Sequence, residues 1–214
     1  MLMKKIIKVI NLNKEVNGKI ILKNINLNIE SGKIYGIVGR NGSGKTMLFK
    51  AICGLIKPTS GEIYVFDRAI HKGELPLNTG AIIENPGFLM QYSALKNLQI
   101  LASLRGQVTT EKIKDVLRKV DLEPEDKTPV KKFSLGMKQR LGIAQAIMEN
   151  PKLLILDEPM NSLDEDGVDL VRKILLDMKN EGTTILIASH IKEDIETLCD
   201  EVYKMEKGIL INNK

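Results

Sequence analysis

Gly39-Arg40-Asn41-Gly42-Ser43-Gly44-Lys45-Thr46 has the spacing G-x-x-x-x-G-K-[ST]. A short apolar run precedes it at residues 34–38, and a helical-looking stretch follows at 47–53. Strand, loop and helix therefore come in the order that a phosphate-binding loop requires. The glycines let successive backbone N–H groups turn inward toward one anion. The helix N-terminus behind them adds partial positive charge. Lys45 can reach the outer phosphates of a nucleoside triphosphate, and the Thr46 hydroxyl can ligate Mg²⁺. The candidate binding set is Gly39, Arg40, Asn41, Gly42, Ser43, Gly44, Lys45 and Thr46.

Upstream of the loop, residues 6–10 and 19–29 read as strands. In the second, Ile25, Leu27 and Ile29 alternate with Asn24, Asn26 and Asn28, so one face is buried and the other wet. Asn17-Gly18 between them is a hairpin signal, which makes this opening an antiparallel addition. Downstream, a breaker cluster at 57–61 leads to an alternating strand at 62–66, a polar loop at 67–79 and a short strand at 81–84 that ends at Asn85-Pro86-Gly87.

From about 92 to 150 the pattern is helical. Leu95, Leu98, Leu101, Ala102 and Leu104 recur at helical spacing, as do Ile113, Val116, Leu117 and Val120 behind the cap candidates Thr109-Thr110. Ser134 caps a further helix, and Asn150-Pro151 stops it. The α/β rhythm then returns: strand 153–157, helix 170–178, strand 184–188, helix 191–198 and a terminal hairpin around Lys207-Gly208. Continuous apolar runs this short belong to strands covered on both faces, hence to a parallel sheet flanked by helices. The expected fold is α/β: one domain over residues 1–214, with a phosphate-loop core at 1–85 and 151–214, the antiparallel β addition at the N-terminus, and an inserted helical subdomain at 86–150.

The chain has 214 residues, 43% of them hydrophobic and 28% charged, which suits a globular domain with one good core. Its net charge of +5 is spread over scattered lysines, and aromatics make up only 4%. Without a basic stripe interleaved with stacking residues, no nucleic-acid partner is expected. Cys53 and Cys199 are far apart, form no metal-ligand cluster, and read as buried thiols of a reducing compartment. No apolar run nears the ~18 residues of a membrane span, and the opening residues do not make a signal peptide. The expected location is cytosolic, with any service to a membrane performed through a partner chain.

Two further stretches carry chemistry. Leu153-Leu154-Ile155-Leu156-Asp157-Glu158-Pro159 is an apolar strand that delivers acids to the sheet edge. Asp157 can hold Mg²⁺, and Glu158 can orient and deprotonate water for attack on a terminal phosphate. Phe133-Ser134-Leu135-Gly136-Met137-Lys138-Gln139-Arg140 places a serine at a helix N-cap and a glycine in the first turn, a second place where hydroxyl, N–H groups and dipole can meet a phosphate.

This order of phosphate loop, serine-glycine helix start, apolar strand with Asp-Glu, and a histidine after the next strand resembles the nucleotide-binding subunits of ATP-binding-cassette (ABC) transporters, over nearly the whole chain. The family signature is Leu-Ser-Gly-Gly-Gln. This chain keeps Ser134 and Gly136 but has Phe133, Leu135 and Met137 at the other positions. The resemblance implies that Ser134 and Gly136 meet ATP held by the opposite subunit, and that Asn161-Ser162-Leu163-Asp164 crosses the dimer interface. It implies also that His190 contacts the γ-phosphate. Glu84 stands where the family usually has a glutamine ligand to Mg²⁺, and Val16 falls near the position of an aromatic that stacks on adenine. The strings at 83–88 and 133–140 are similar to the bacitracin- and lantibiotic-exporter branch.

By this resemblance the chain is an ATPase that takes ATP and Mg²⁺. Lys45, Glu158 and His190 are its catalytic set, and Thr46, Asp157 and Glu84 its metal set. It would act as a homodimer or a paired cassette, peripheral on the inner face of the cell membrane, and energise a separate integral-membrane permease. The alternative is a soluble ABC-superfamily ATPase of DNA repair or translation. Long heptads are absent and only one cassette fits, so the transport reading is preferred. A GTPase switch is disfavoured because no N-K-x-D segment follows the loop.

Overall fold

The computed structural model describes residues 5–84, 86–104, 106 and 108–213. Strands β1 (Lys5–Val16) and β2 (Lys19–Glu30) pair antiparallel around Asn17-Gly18, whose φ angles of 49° and 75° fit a tight hairpin turn. β1 extends past residue 10, to Val16. Its other edge takes β3 (Ser60–Val65), which pairs with the two-residue β4 (Arg68–Ala69). The antiparallel addition is thus a four-stranded sheet, and β4 lies in a stretch read as loop. The connecting Phe66 and Asp67 adopt φ of 51° and 62°, a left-handed turn without the glycine or asparagine that normally marks one.

The second sheet is organised around β5 (Ile34–Val38), which runs into the phosphate loop. β5 lies between β8 (Thr184–Ser189) and β9 (Glu201–Glu206), parallel to both. β8 pairs in parallel with β7 (Leu153–Asp157), which pairs in parallel with β6 (Thr79–Ile82); β10 (Ile209–Asn213) closes the other edge as an antiparallel hairpin with β9. Every residue of β7 and β8 is buried. Successive side chains alternate between two cores, as the pleat requires. Leu154, Leu156, Ile185 and Ile187 face one core, and Leu153, Ile155, Leu186 and Ala188 the other.

β6 begins two residues before the expected 81 and ends at Ile82, so Glu84 is outside the strand, at φ 59°. Gly80 obscured that start. It is a strand glycine because a helix lies directly on it: a Cβ there would come 1.9 Å from the Ala146 carbonyl oxygen. The expected turn after it includes Asn85, which lies outside the described residues.

Helix α1 (Lys45–Ile52) buries Leu48, Phe49, Ala51 and Ile52 between the two sheets. The opposite face of the parallel sheet carries α2 (Ala94–Ser103), α3 (Thr110–Lys119), α4 (Leu135–Ile147), α5 (Glu165–Asn180) and α6 (Lys192–Leu198). Ser93, Thr109, Ser134 and Asp164 cap four of them by accepting a backbone N–H three residues on. α5 starts five residues before the expected 170, because Asp164 and the acidic first turn of Glu165 and Asp166 suit a helix N-terminus. Leu98, Ile113, Leu117, Leu141 and Ile143 share one continuous apolar cluster with Leu154, Leu156 and Ile187, so the helical region has no separate core. Cys53 is buried, but Cys199 only half-buried; burial pushes both thiols up to about 12. Among the described residues no helix is long and apolar enough to cross a membrane.

Candidate functional site

In the strand order β5-β8-β7, three parallel strands end side by side. They deliver the phosphate loop, Ser189-His190 and Asp157-Glu158 to one edge, where open α/β sheets bind ligands. The loop is held from behind by the β9–β10 turn. Gly208 N donates to Ser43 O at 2.9 Å, and Lys23 N on β2 donates to Gly208 O at 2.8 Å. A Cβ on Gly39 would come 2.3 Å from the Met205 carbonyl oxygen, so only glycine fits. Gly42 and Gly44 take φ of 78° and 114°, which curls the loop into the first turn of α1.

Lys45 Nζ donates to Gly39 O at 2.7 Å and lies 3.5 Å from Glu158 Oε1. Thr46 Oγ1 donates to Asp157 Oδ2 at 2.5 Å. Asp157 is 7% exposed, and its Oδ1 is buried with no hydrogen-bond partner. Burial raises its carboxyl above the usual range, against the pull of the Thr46 hydroxyl. Glu158 Oε1 and Ser43 Oγ are likewise buried without hydrogen bonds. Glu158 sits at φ 51°, its N–H donating to Ala188 O at 2.8 Å. Its Oε2 accepts from His190 N at 3.3 Å and lies 2.8 Å from His190 Nδ1. The glutamate is thus suspended between a lysine and a half-exposed imidazole.

Two residues that sequence reasoning missed anchor the His190 segment. Arg172 on α5 gives both Nε and Nη2 to Asp194 Oδ1, at 3.2 and 2.7 Å. Ser189 Oγ donates to Asp194 Oδ2 at 3.4 Å and accepts from Ile191 N at 3.0 Å. Asp194 is 1% exposed, yet in a run such as Lys-Glu-Asp it is indistinguishable from a solvated acid.

A cleft of about 650 Å³ opens beside the phosphate loop and the Asp157-Glu158 strand end. Its walls include Ile21, residues 41–47, Lys50, Glu84, Gln139, Asp157, Glu158, Asn161 and Ser162. Gly39 and Arg40 face an adjoining hollow with His190, Lys204 and Lys207. Glu84 lines the cleft, its Oε1 2.6 Å from Lys50 Nζ. Ser134 and Gly136 do not line it. Ser134 Oγ accepts from Met137 N at 3.1 Å, and Gly136 lies against the Ser162 carbonyl, 3.1 Å from where its Cβ would be. Val16, the position expected to meet a base, is absent from the lining. Ile21, five residues on and across the β1–β2 turn, lines the cleft instead, as does the apolar Met47.

A phosphate loop, strand-end carboxylates and a histidine on one edge of a parallel sheet define a nucleotide-hydrolysing α/β fold. The family model for ABC transporters matches residues 22–161, and the chain belongs to that family. It is 43% identical to the lantibiotic transport ATP-binding protein SrtF of Streptococcus pyogenes, over 97% of this chain and 90% of that protein. It is 42% identical to the bacitracin transport ATP-binding protein BcrA of Enterococcus faecalis, over 99% of this chain and 70% of that protein. A dimeric structure of MJ0796, a bacterial ABC transporter cassette, superposes with a TM-score of 0.84 at 25% identity, covering 95% of this chain and 96% of that one. The expected branch is therefore met, and the chain is an ATP-binding ATPase cassette.

Proposed function

We propose that this cassette hydrolyses Mg·ATP in the cleft to drive a separate integral-membrane permease that exports peptide antibiotics, working from the inner face of the cell membrane. The observation that carries the reading is the carboxylate of Glu158, held between Lys45 and His190 beside the Thr46–Asp157 contact. Glu158 is the group that takes the proton of an attacking water, and its buried Oε1 accepts no hydrogen bond, the Lys45 ammonium standing 3.5 Å away. Lys45 releases Gly39 O to engage the outer phosphates, with the N–H groups of residues 41–46 around them. His190 holds Glu158 in place and steadies the γ-phosphate.

The residues present fit a Mg²⁺ ion. The orphaned Asp157 Oδ1 and the Thr46 hydroxyl are hard oxygen donors at one point. Among the described residues no cluster of three or more His, Cys, Asp or Glu forms a protein-only cage, and magnesium suits one or two protein oxygens completed by phosphates and water. When bound, the ion supplies positive charge that offsets the triphosphate.

Two cassettes, identical or paired, would each place Ser134 and Gly136 on the other's ATP. Ser134 is exposed and Gly136 partly so, and neither lines the cleft of its own chain, which supports that arrangement. The relatives' transport names support the exporter reading. The test is co-purification from membranes with the neighbouring multi-span protein, then reconstitution in vesicles. ATP-dependent efflux of a labelled lantibiotic or bacitracin is expected. Hydrolysis with no membrane partner recovered would overturn the permease reading.

A further inference from the structure

The charged residues lining the cleft are Lys45 and Lys50 against Glu84, Asp157 and Glu158. Lys45 lies near Glu158, and Lys50 holds Glu84 at 2.6 Å. Thr46 and Lys50 are four residues apart on α1, so they point from the same helix face. One reaches the end of β7 and the other the segment after β6, its parallel neighbour, where Ile82 pairs with Leu156. Glu84 adopts φ 59°, and its side chain is 60% exposed while that of Lys50 is 26% exposed. An ion pair this open contributes little to folding. Its position beside a triphosphate site gives it another use.

We infer that Lys50 is a positioning residue that neutralises and orients Glu84, and so makes a cleft with a third carboxylate able to accept Mg·ATP. This rests on the nucleotide reading above. Mg·ATP enters with net negative charge, and an unpaired carboxylate on the wall repels it. With Lys50 present, the cleft has the charge balance it would have with a neutral side chain at 84 and none at 50. The pairing predicts that residues 50 and 84 act as a unit.

The experiment is a double-mutant cycle on the full chain, with dissociation constants for Mg·adenylyl imidodiphosphate measured by titration calorimetry. Lys50→Met should weaken binding on the order of tenfold at low salt. Glu84→Gln is the reference background, and Lys50→Met with Glu84→Gln should come within about twofold of Glu84→Gln alone. Lys50→Arg should retain wild-type affinity, and the Lys50→Met deficit should shrink in 0.5 M salt, where the Debye length is only about 4 Å. Should Lys50→Met fail to fold, Lys50→Gln carries the same cycle. Equal weakening in both backgrounds, or none in either, overturns the inference while leaving the nucleotide site intact. Wild type that fails to bind the analogue at all overturns the nucleotide reading, and this inference with it.

Discussion

Glu158→Gln separates chemistry from folding within one residue. The substitution keeps side-chain length and leaves an oxygen or nitrogen facing His190, but a neutral amide cannot accept the proton of an attacking water. A positioned general base contributes roughly 10²–10⁴-fold. The barrier should therefore rise by about 2.7–5.4 kcal/mol. The folded state loses far less: a 3.5 Å approach to Lys45 and a contact to a half-exposed histidine. Lys45 keeps its 2.7 Å bond to Gly39 O, and Asp157 loses a like-charged neighbour, so the remaining charge of this largely buried pair stays compensated and the net cost should be on the order of 1 kcal/mol. Phosphate release should fall at least a hundredfold, while the nucleotide-free protein melts within a few degrees of wild type. Because ATP binding survives, gel filtration with Mg·ATP should show a dimer that wild type forms only transiently. Turnover within tenfold of wild type would refute the assignment of Glu158. A fall in turnover matched by an equal fall in ATP affinity would refute it equally, since the residue would then bind rather than act.

Three further outcomes are expected. Mixing Ser134→Arg chains with Lys45→Ala chains should restore part of the lost hydrolysis, because one site of the mixed dimer carries neither lesion; proven mixed dimers without activity would exclude contact in trans. No aromatic lines the cleft among the described residues, and Ile21 offers only an aliphatic face. Mg·ATP and Mg·GTP should therefore bind within a few-fold of each other, lacking the roughly 1–3 kcal/mol a stacked base gains; a hundredfold preference for ATP in calorimetry would point to a base-reading group elsewhere. Gly80→Ala should cost about 1–3 kcal/mol or more in denaturant unfolding, since its methyl meets backbone at 1.9 Å and α4 must move; an unchanged midpoint would mean that the β6–α4 seam is looser than described.

The phosphate loop, its strand and helix, and the Asp157-Glu158 strand end were legible because each is local: spacing, period and burial speak within a dozen residues. The Asn17-Gly18 hairpin was readable for the same reason. Features that depend on a distant partner were not. β4 was hidden because Phe66 and Asp67 take left-handed conformations that their identities do not announce. The start of β6 was hidden because Gly80 is explained only by Ala146 on another element. Arg172 and Asp194 are separated by the second half of α5 and all of β8, and Lys50 and Glu84 by β3, β4 and β6. That Ile21 rather than Val16 lines the cleft follows from the hairpin register, which the sequence alone does not give.

The β9–β10 turn that braces the phosphate loop has a consequence for how the protein is made. The loop leaves the ribosome early, whereas Met205 and Gly208, which wall it from behind, are among the last described residues to emerge. Its conformation depends on contacts of very long sequence separation, which form late in folding. Nucleotide therefore meets a competent loop only once residues 205–208 have emerged and docked behind it. Since a ligand that binds only the folded form stabilises it by mass action, ATP at cellular concentrations selects finished cassettes over nascent ones.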